Sequence, residues 1–406
     1  MCATQLAPAP LPTRRDCPFD PPEAYRRLRE RDPVSRLAFP DGKTGWLLTR
    51  HQDVRALLAD DRFSADRARA SLPVRSVAIR PVEAEERAGV LLTMDPPEHT
   101  RYRRILTRYF TVRRMRALAP RIEQIVTGHL DAMARNGPPV DLVPAFALPV
   151  PSLVICELLG VPYADRTTFQ RWTSTLLGLH TTEAEALAAR VALRTYVHDL
   201  VVDKRTHPDD ALLSHLIARG NEAPEDAMDD DELAGIGRLL LVAGHETTAN
   251  MLALGTYTLL THPEQLDALR AHPEGVQHAV EELLRYLTIV QFGTVRVAKQ
   301  DVEIAGRRIR AGETVVASLA AANRDAEQFD RPDALDLARE PSQHVAFGHG
   351  VHQCLGQQLA RVEMEIAIPA LLRRFPALRL AVPADRVPLR DDMVIYGVHA
   401  LPLTWG

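Results

Sequence analysis

With 406 residues, 46% hydrophobic and 25% charged, the chain has ordinary globular composition and enough length for one large core or two to three average ones. A formal net charge of −4 lacks the basic excess of a nucleic-acid binder, so no nucleic-acid partner is expected. The four cysteines, Cys2, Cys17, Cys156 and Cys354, form no CxxC pair, which argues against a disulfide framework and for a reducing, cytoplasmic setting.

In chain order, residues 1–20 have no apolar signal-peptide core and are expected as an extended N-terminal segment. Residues 22–31 and 51–60 read as short helices, and 66–90 show no clear period. Helical patterns occupy about 99–135, 152–160, 164–180 and 183–206. The apolar stretch 142–162 is interrupted by Pro144, Pro149, Pro151 and Glu157, so no membrane anchor is expected. An acidic run, Glu225 to Glu232, leads into a very long apolar helix ending near His262, with Asp229 to Asp231 suited to its cap and first turn. Pro263 opens another helix, and a further one covers 274–287. From 292 to 316, short alternating runs punctuated by Ala305-Gly306 and Ala311-Gly312 read as small hairpins. A Pro- and Asp-rich segment runs to about 343, a glycine-rich loop follows, then a helix over 355–375, and the last 30 residues read as strands. The expected fold class is mainly α with small β-sheets, as a single domain over 1–406. Arginine supplies all basic residues except Lys43, Lys204 and Lys299, a bias of GC-rich genomes such as those of actinobacteria.

The glycine-rich loop reads Phe347-Gly348-His349-Gly350-Val351-His352-Gln353-Cys354-Leu355-Gly356. A thiolate that serves iron needs a fixed sulfur, a partly offset charge and close approach of a flat cofactor. Gly348 and Gly350 permit a tight turn that aims backbone N–H groups at the sulfur. A helix starting at Cys354 would favour the thiolate through its positive end, and Gly356 leaves room for a macrocycle. Taken alone, these residues leave open a buried core cysteine, or a metal site shared with His344, His349 and His352.

In the long helix, Ala243-Gly244-His245-Glu246-Thr247-Thr248 sets a carboxylate and two hydroxyls among apolar residues, which is costly without partners or chemistry. Thr247 can bond back to the Ala243 carbonyl and bend the helix, and Gly244 would ease the bend and open space beside it. Glu282-Leu283-Leu284-Arg285 places opposite charges at i and i+3.

The loop resembles the haem signature F-G-x-G-x-H-x-C-x-G of the cytochrome P450 family at every specified position, and the helix segment resembles the family's A-G-x-(D/E)-T-(T/S) motif. Asn323-Arg324-Asp325, Val394-Ile395-Tyr396-Gly397 and the final Leu-Pro-Leu-Thr-Trp extend the likeness over nearly the whole chain. The resemblance implies haem b, with Cys354 as axial iron ligand and Phe347, Gly348, Gly356, Ala243 and Gly244 beside the cofactor. It places His99, Arg103, Arg296 and His352 at the propionates. Thr247 and Glu246 would be catalytic, delivering protons to dioxygen, and Glu282, Arg285 and Arg339 would brace the loop. Substrate contacts would come from Leu240, Ala243, Phe292, Thr294 and Ile395, beneath a lid formed by 66–90 and 164–195. The implied activity is a monooxygenase tailoring lipophilic natural products in secondary metabolism or antibiotic biosynthesis. Electrons would come from ferredoxin and an NAD(P)H-dependent ferredoxin reductase, and a monomer is expected. The alternatives are a xenobiotic-oxidising monooxygenase and a non-catalytic haem-binding protein. The seven arginines at 101, 103, 104, 108, 113, 114 and 116 read either as a solvated face or as a dock for an acidic ferredoxin.

Overall fold

The computed structural model describes residues 7–76, 87–341 and 343–406. Cys2 and residues 77–86 of the expected lid lie outside the described residues. The chain groups into two compact units, one of 1–81, 262–354 and 394–396, the other of 82–261, 355–393 and 397–406.

The first unit is built on a five-stranded sheet ordered Val34–Ala38, Thr44–Leu48, Thr314–Ala317, Thr294–Ala298 and Phe63–Ser64. Thr44–Leu48 runs parallel to Thr314–Ala317, with Trp46 opposite Val315, and the other pairings are antiparallel. The first two strands were not anticipated. Thr44–Leu48 is buried at four of its five positions, so it lacks the alternation that marks a half-exposed strand. Trp46, Leu48, Val54, Leu57, Val315 and Leu319 form part of the core that seats the His51–Ala59 helix on this sheet. The expected hairpin joins Val302–Ile304 to Arg307–Ile309. Its turn puts both Ala305 (φ 49°) and Gly306 (φ 74°) in the left-handed region.

The second unit is helical, with a small sheet ordered Val140–Asp141, Pro402–Thr404 and Arg379–Leu380. Its spine is the 32-residue helix Asp230–Thr261. Asp229 accepts the Glu232 N–H at 2.8 Å and Glu232 accepts that of Asp229 at 2.9 Å, a reciprocal cap where the acidic run predicts one. This helix packs against Pro149–Leu159 and Glu183–Thr206. The helix expected over 99–135 is three, Glu98–Thr107, Val112–Ala117 and Ala119–Asn136. Thr111 caps the second, and Pro120, which lacks a donor N–H, sits in the first turn of the third. A helix at Leu212–Glu222 was not read from the sequence.

Candidate active site

Phe347 to Cys354 forms a closed turn in which the Cys354 N–H donates to the Phe347 carbonyl at 2.8 Å. Gly348 and Gly350 have φ of 71° and 72°. At Gly350 a Cβ would also stand 2.3 Å from the Leu58 carbonyl oxygen, so that position admits only glycine. The Cys354 side chain is exposed, whereas Cys156 is buried and its thiol is pushed up to about 12 by desolvation. The following helix begins at Gln357, not at Cys354, because the turn continues through Gly356. The cysteine therefore precedes the helix and its placement depends on the turn.

The turn is braced by the Glu282–Arg285–Arg339 network that the family resemblance implies. Arg285 uses all five N–H donors: two to the Glu282 carboxylate at 2.7 and 2.8 Å, and three to the carbonyls of Asn323, Pro332 and Ala334. Glu282 also accepts from Arg339 and from the Asp336 N–H, each at 3.0 Å. Asn323 carries the brace onward, its Oδ1 accepting the Val345 N–H at 2.8 Å at the entry to the turn. Its neighbours hold other elements. Arg324 pairs with Asp20 and Asp333 and stacks on Tyr286, and Asp325 accepts the His51 N–H. Sequence reasoning noted this triplet only as a likeness. The signal in the residues was three consecutive polar side chains after the apolar run 319–322.

The long helix is α-helical through the Glu-Thr-Thr segment, without a break. The Thr247 hydroxyl donates to the Ala243 carbonyl at 2.7 Å, as predicted. Thr256 and Thr258 make the same bond in full burial, so the bond itself is not distinctive. What distinguishes Thr247 is partial exposure: with Leu239, Val242, Ala243 and Gly244 it forms a partly accessible stripe on a helix whose neighbouring positions are buried. Leu240 flanks this stripe but is buried. The space expected beside Gly244 is filled, because a Cβ there would stand 2.9 Å from Ile155 Cδ1. Gly244 thus allows close helix packing. His245 is buried against Phe169 and held neutral by desolvation. Its Nδ1 donates to the Leu241 carbonyl at 2.6 Å, which leaves Nε2 to accept from the Thr173 hydroxyl at 3.0 Å. Glu246 is buried, with Arg390 Nη2 3.1 Å from its Oε2 and the Asn250 amide bonded to its backbone carbonyl at 2.7 Å. Arg390 was not singled out from the sequence, since nothing local ties it to a residue 144 positions away.

The other expected site residues divide between the units. Arg296 is buried on Thr294–Ala298, and Phe292, Thr294 and Ile395 all lie in the first unit, where Ile395 bridges Val290. His352 is partly buried in the cysteine turn. In the second unit, His99 is buried and Arg103 partly buried on Glu98–Thr107.

A sequence model of the family "Cytochrome P450" matches residues 196–395. The chain is 52% identical to Cytochrome P450-SU2 of Streptomyces griseolus, covering 96% of this chain and 94% of the relative. It is 50% identical to the pentalenic acid synthase of Streptomyces avermitilis over 98% of both chains. The chain belongs to the cytochrome P450 family. Among solved P450 structures, CYP105P1 in complex with filipin I superposes with a TM-score of 0.93 at 45% identity, covering 98% of this chain and 99% of that one. The fold is that of a P450, mainly α with small sheets, and the protein is a cytochrome P450 monooxygenase.

P450 membership implies a haem-thiolate iron cofactor, and the residues present fit one. Cys354 offers an exposed thiol, and a Cβ built on Gly356 would meet nothing within 4 Å, which suits a flat macrocycle. The competing metal cluster does not assemble: His344 bonds to Glu281 at 3.0 Å, and no group of three His, Cys, Asp or Glu among the described residues could hold a metal ion. No helix among the described residues is long and apolar enough to cross a membrane.

The basic run is solvated and at the same time partly paired. Arg101 pairs with Glu232, while Arg104, Arg219 and, at 3.8 Å, Arg108 surround the enclosed carboxylate of Asp226. Burial would raise the Asp226 pKa, but the hydrogen bonds from Arg104 and Arg219 outweigh it and hold the group below its ordinary value. Three arginines of the supposed dock are therefore engaged in tying Glu98–Thr107 to the segment that leads into the long helix. Arg116 lies 3.4 Å from Glu365, and Arg114 stacks over Tyr109.

Proposed function

We propose that this P450 inserts one oxygen atom of dioxygen into a lipophilic natural product by hydroxylation or epoxidation, as a tailoring step of secondary metabolism. When bound, the haem, taken to be haem b, supplies the iron at which dioxygen is activated. In this reading Cys354 would hold the iron through its thiolate. His99, Arg103, Arg296 and His352 would offset the two propionates, while Phe347, Gly348, Gly356 and Ala243 would line the cofactor and Gly244 lets its helix turn sit tightly against Ile155. The exposed cysteine at the end of a fully braced turn is the observation that carries the assignment.

Thr247 and Glu246 handle protons. Because the Thr247 hydroxyl proton is taken by the Ala243 carbonyl, its oxygen faces the open stripe as an acceptor and can orient a water there. Glu246 takes a proton from solvent and passes it toward that water, returning to its carboxylate. Ala243, with Leu240 at its flank, and Phe292, Thr294 and Ile395 orient the substrate and exclude bulk water. The natural-product reading draws on relatives named for such chemistry. These include the pentalenic acid synthase, the nocardicin C N-oxygenase of Nocardia uniformis and LnmA, a hydroxylase of leinamycin biosynthesis. A vitamin D3 dihydroxylase of Streptomyces griseolus, 45% identical, keeps oxidation of foreign compounds as the second reading.

Ferredoxin and an NAD(P)H-dependent reductase are the proposed electron source, and a cytoplasmic monomer working as one domain the proposed form. The reduced, haem-loaded protein under carbon monoxide should show the red-shifted band of a thiolate ligand, and Cys354→His should lose it. A histidine-type spectrum in the wild type would end this reading. Spectral titration with terpenoid, macrolide and xenobiotic panels then separates the two substrate classes.

A further inference from the structure

Arg390 sits on a short hairpin of the second unit, where its N–H donates to the Gly397 carbonyl at 2.9 Å and Leu389 pairs with Val398. The same hairpin is fastened at Asp392, which accepts from His399 at 2.7 Å and through its carbonyl from the Leu179 N–H at 2.9 Å. A Cβ on Gly397 would stand 1.9 Å from Asn250 Oδ1, so the hairpin backbone lies hard against the long helix beside Glu246. The Arg390 side chain is about 10% exposed and that of Glu246 about 4%. Nε and Nη2 of Arg390 are buried and make no aligned hydrogen bond among the described residues. The Glu246 carboxylate, 3.1 Å from Nη2, is therefore the group that compensates the buried guanidinium, and the guanidinium is what compensates the carboxylate. Asn250 adds only a long contact of 3.4 Å to Oε2.

We propose that Arg390 is a positioning residue for the monooxygenase reaction, holding Glu246 as a carboxylate between proton transfers and so keeping it able to receive the next proton. This rests on the reading of Glu246 as the proton-feeding acid. A buried carboxylate that loses its counter-ion becomes neutral by taking up a proton and retaining it. A relay group that retains its proton no longer cycles. The loose geometry suits this task, because a group held by charge alone can turn away and return, whereas a saturated pair cannot.

The test compares wild type, Arg390→Gln, Arg390→Lys, Glu246→Gln and the Arg390→Gln/Glu246→Gln double variant as resting, haem-loaded proteins. Infrared difference spectra should show a protonated-carboxyl stretch at neutral pH in Arg390→Gln that is absent from wild type, Arg390→Lys and the double variant. With spinach ferredoxin and its reductase, Arg390→Gln should release on the order of tenfold more hydrogen peroxide per NADPH, matching Glu246→Gln, and the double variant should be no worse. An Arg390→Gln protein whose Glu246 stays ionised overturns the proposal. If Glu246→Gln alone leaves peroxide release unchanged, the reading of Glu246 has failed instead. Should Arg390→Gln not fold, spectra of wild type with isotope-labelled glutamate, minus Glu246→Gln, still decide the matter: a protonated Glu246 beside an intact Arg390 overturns it.

Discussion

Two buried glutamate–arginine pairs in this P450 differ in how completely their polar atoms are satisfied. Around Glu282 and Arg285 every donor and both carboxylate oxygens are satisfied by fixed partners, four of which bond to the carboxylate. Around Glu246 and Arg390 a single ion pair does nearly all the compensation, and two buried guanidinium nitrogens make no aligned bond among the described residues. A saturated network costs several kcal/mol to open and serves as scaffold, whereas a pair held by one contact depends wholly on its partner charge.

The comparison is broken most severely at the saturated pair. Arg285→Ala should destabilise the protein by about 3–5 kcal/mol, since it removes two of the four bonds to a buried carboxylate and leaves three carbonyls without their donors. Arg285→Lys should recover little, because an ammonium cannot fill the bidentate fork. Denaturant unfolding checks both, and a loss near 1 kcal/mol for Arg285→Ala would refute the scaffold role. At the other pair the expected injury is kinetic. Thr247→Ala should leave unfolding nearly unchanged yet lower product per NAD(P)H by about 10–100-fold. A variant that unfolds early while keeping its coupling would reverse the assignment.

The Asp226 cluster lies between these extremes, a carboxylate shared by exposed arginines. Its folded pKa is depressed, so its contribution is present at neutral pH, above the ordinary carboxylate range, and is lost as pH falls through the lower folded value. The gap in melting temperature between wild type and Asp226→Asn should therefore be widest near pH 7 and close in acid, and a constant gap would show that the charge is irrelevant. The smallest effect belongs to Arg104→Glu. It should lower stability by about 1 kcal/mol or less, after discount for exposure, in the absence of any ferredoxin. Unchanged unfolding with slowed reduction would return Arg104 to a docking surface.

How far the residues themselves spoke varies with the range of the interaction. Short-range features were legible: the acidic cap of the long helix, the Ala305-Gly306 turn, the Thr247 back-bond and the Cys354 turn each depend on residues within a few positions. The break of the 99–135 pattern into three helices was marked by Thr111 and Pro120, yet the apolar period runs across both. The strand Thr44–Leu48 was hidden because a strand buried on both faces does not alternate.

The sequence by itself determined which residues have the chemistry: a cysteine in a glycine-rich loop, an acid and a threonine in an apolar helix, and charges spaced one helical turn apart. Only the tertiary structure decided which of those charges are spent on the fold. Arg104 could be assigned to Asp226, and Arg390 to Glu246, only once distant segments had been brought together. Burial and partnership depend on those distant neighbours, and local periodicity carries no record of them.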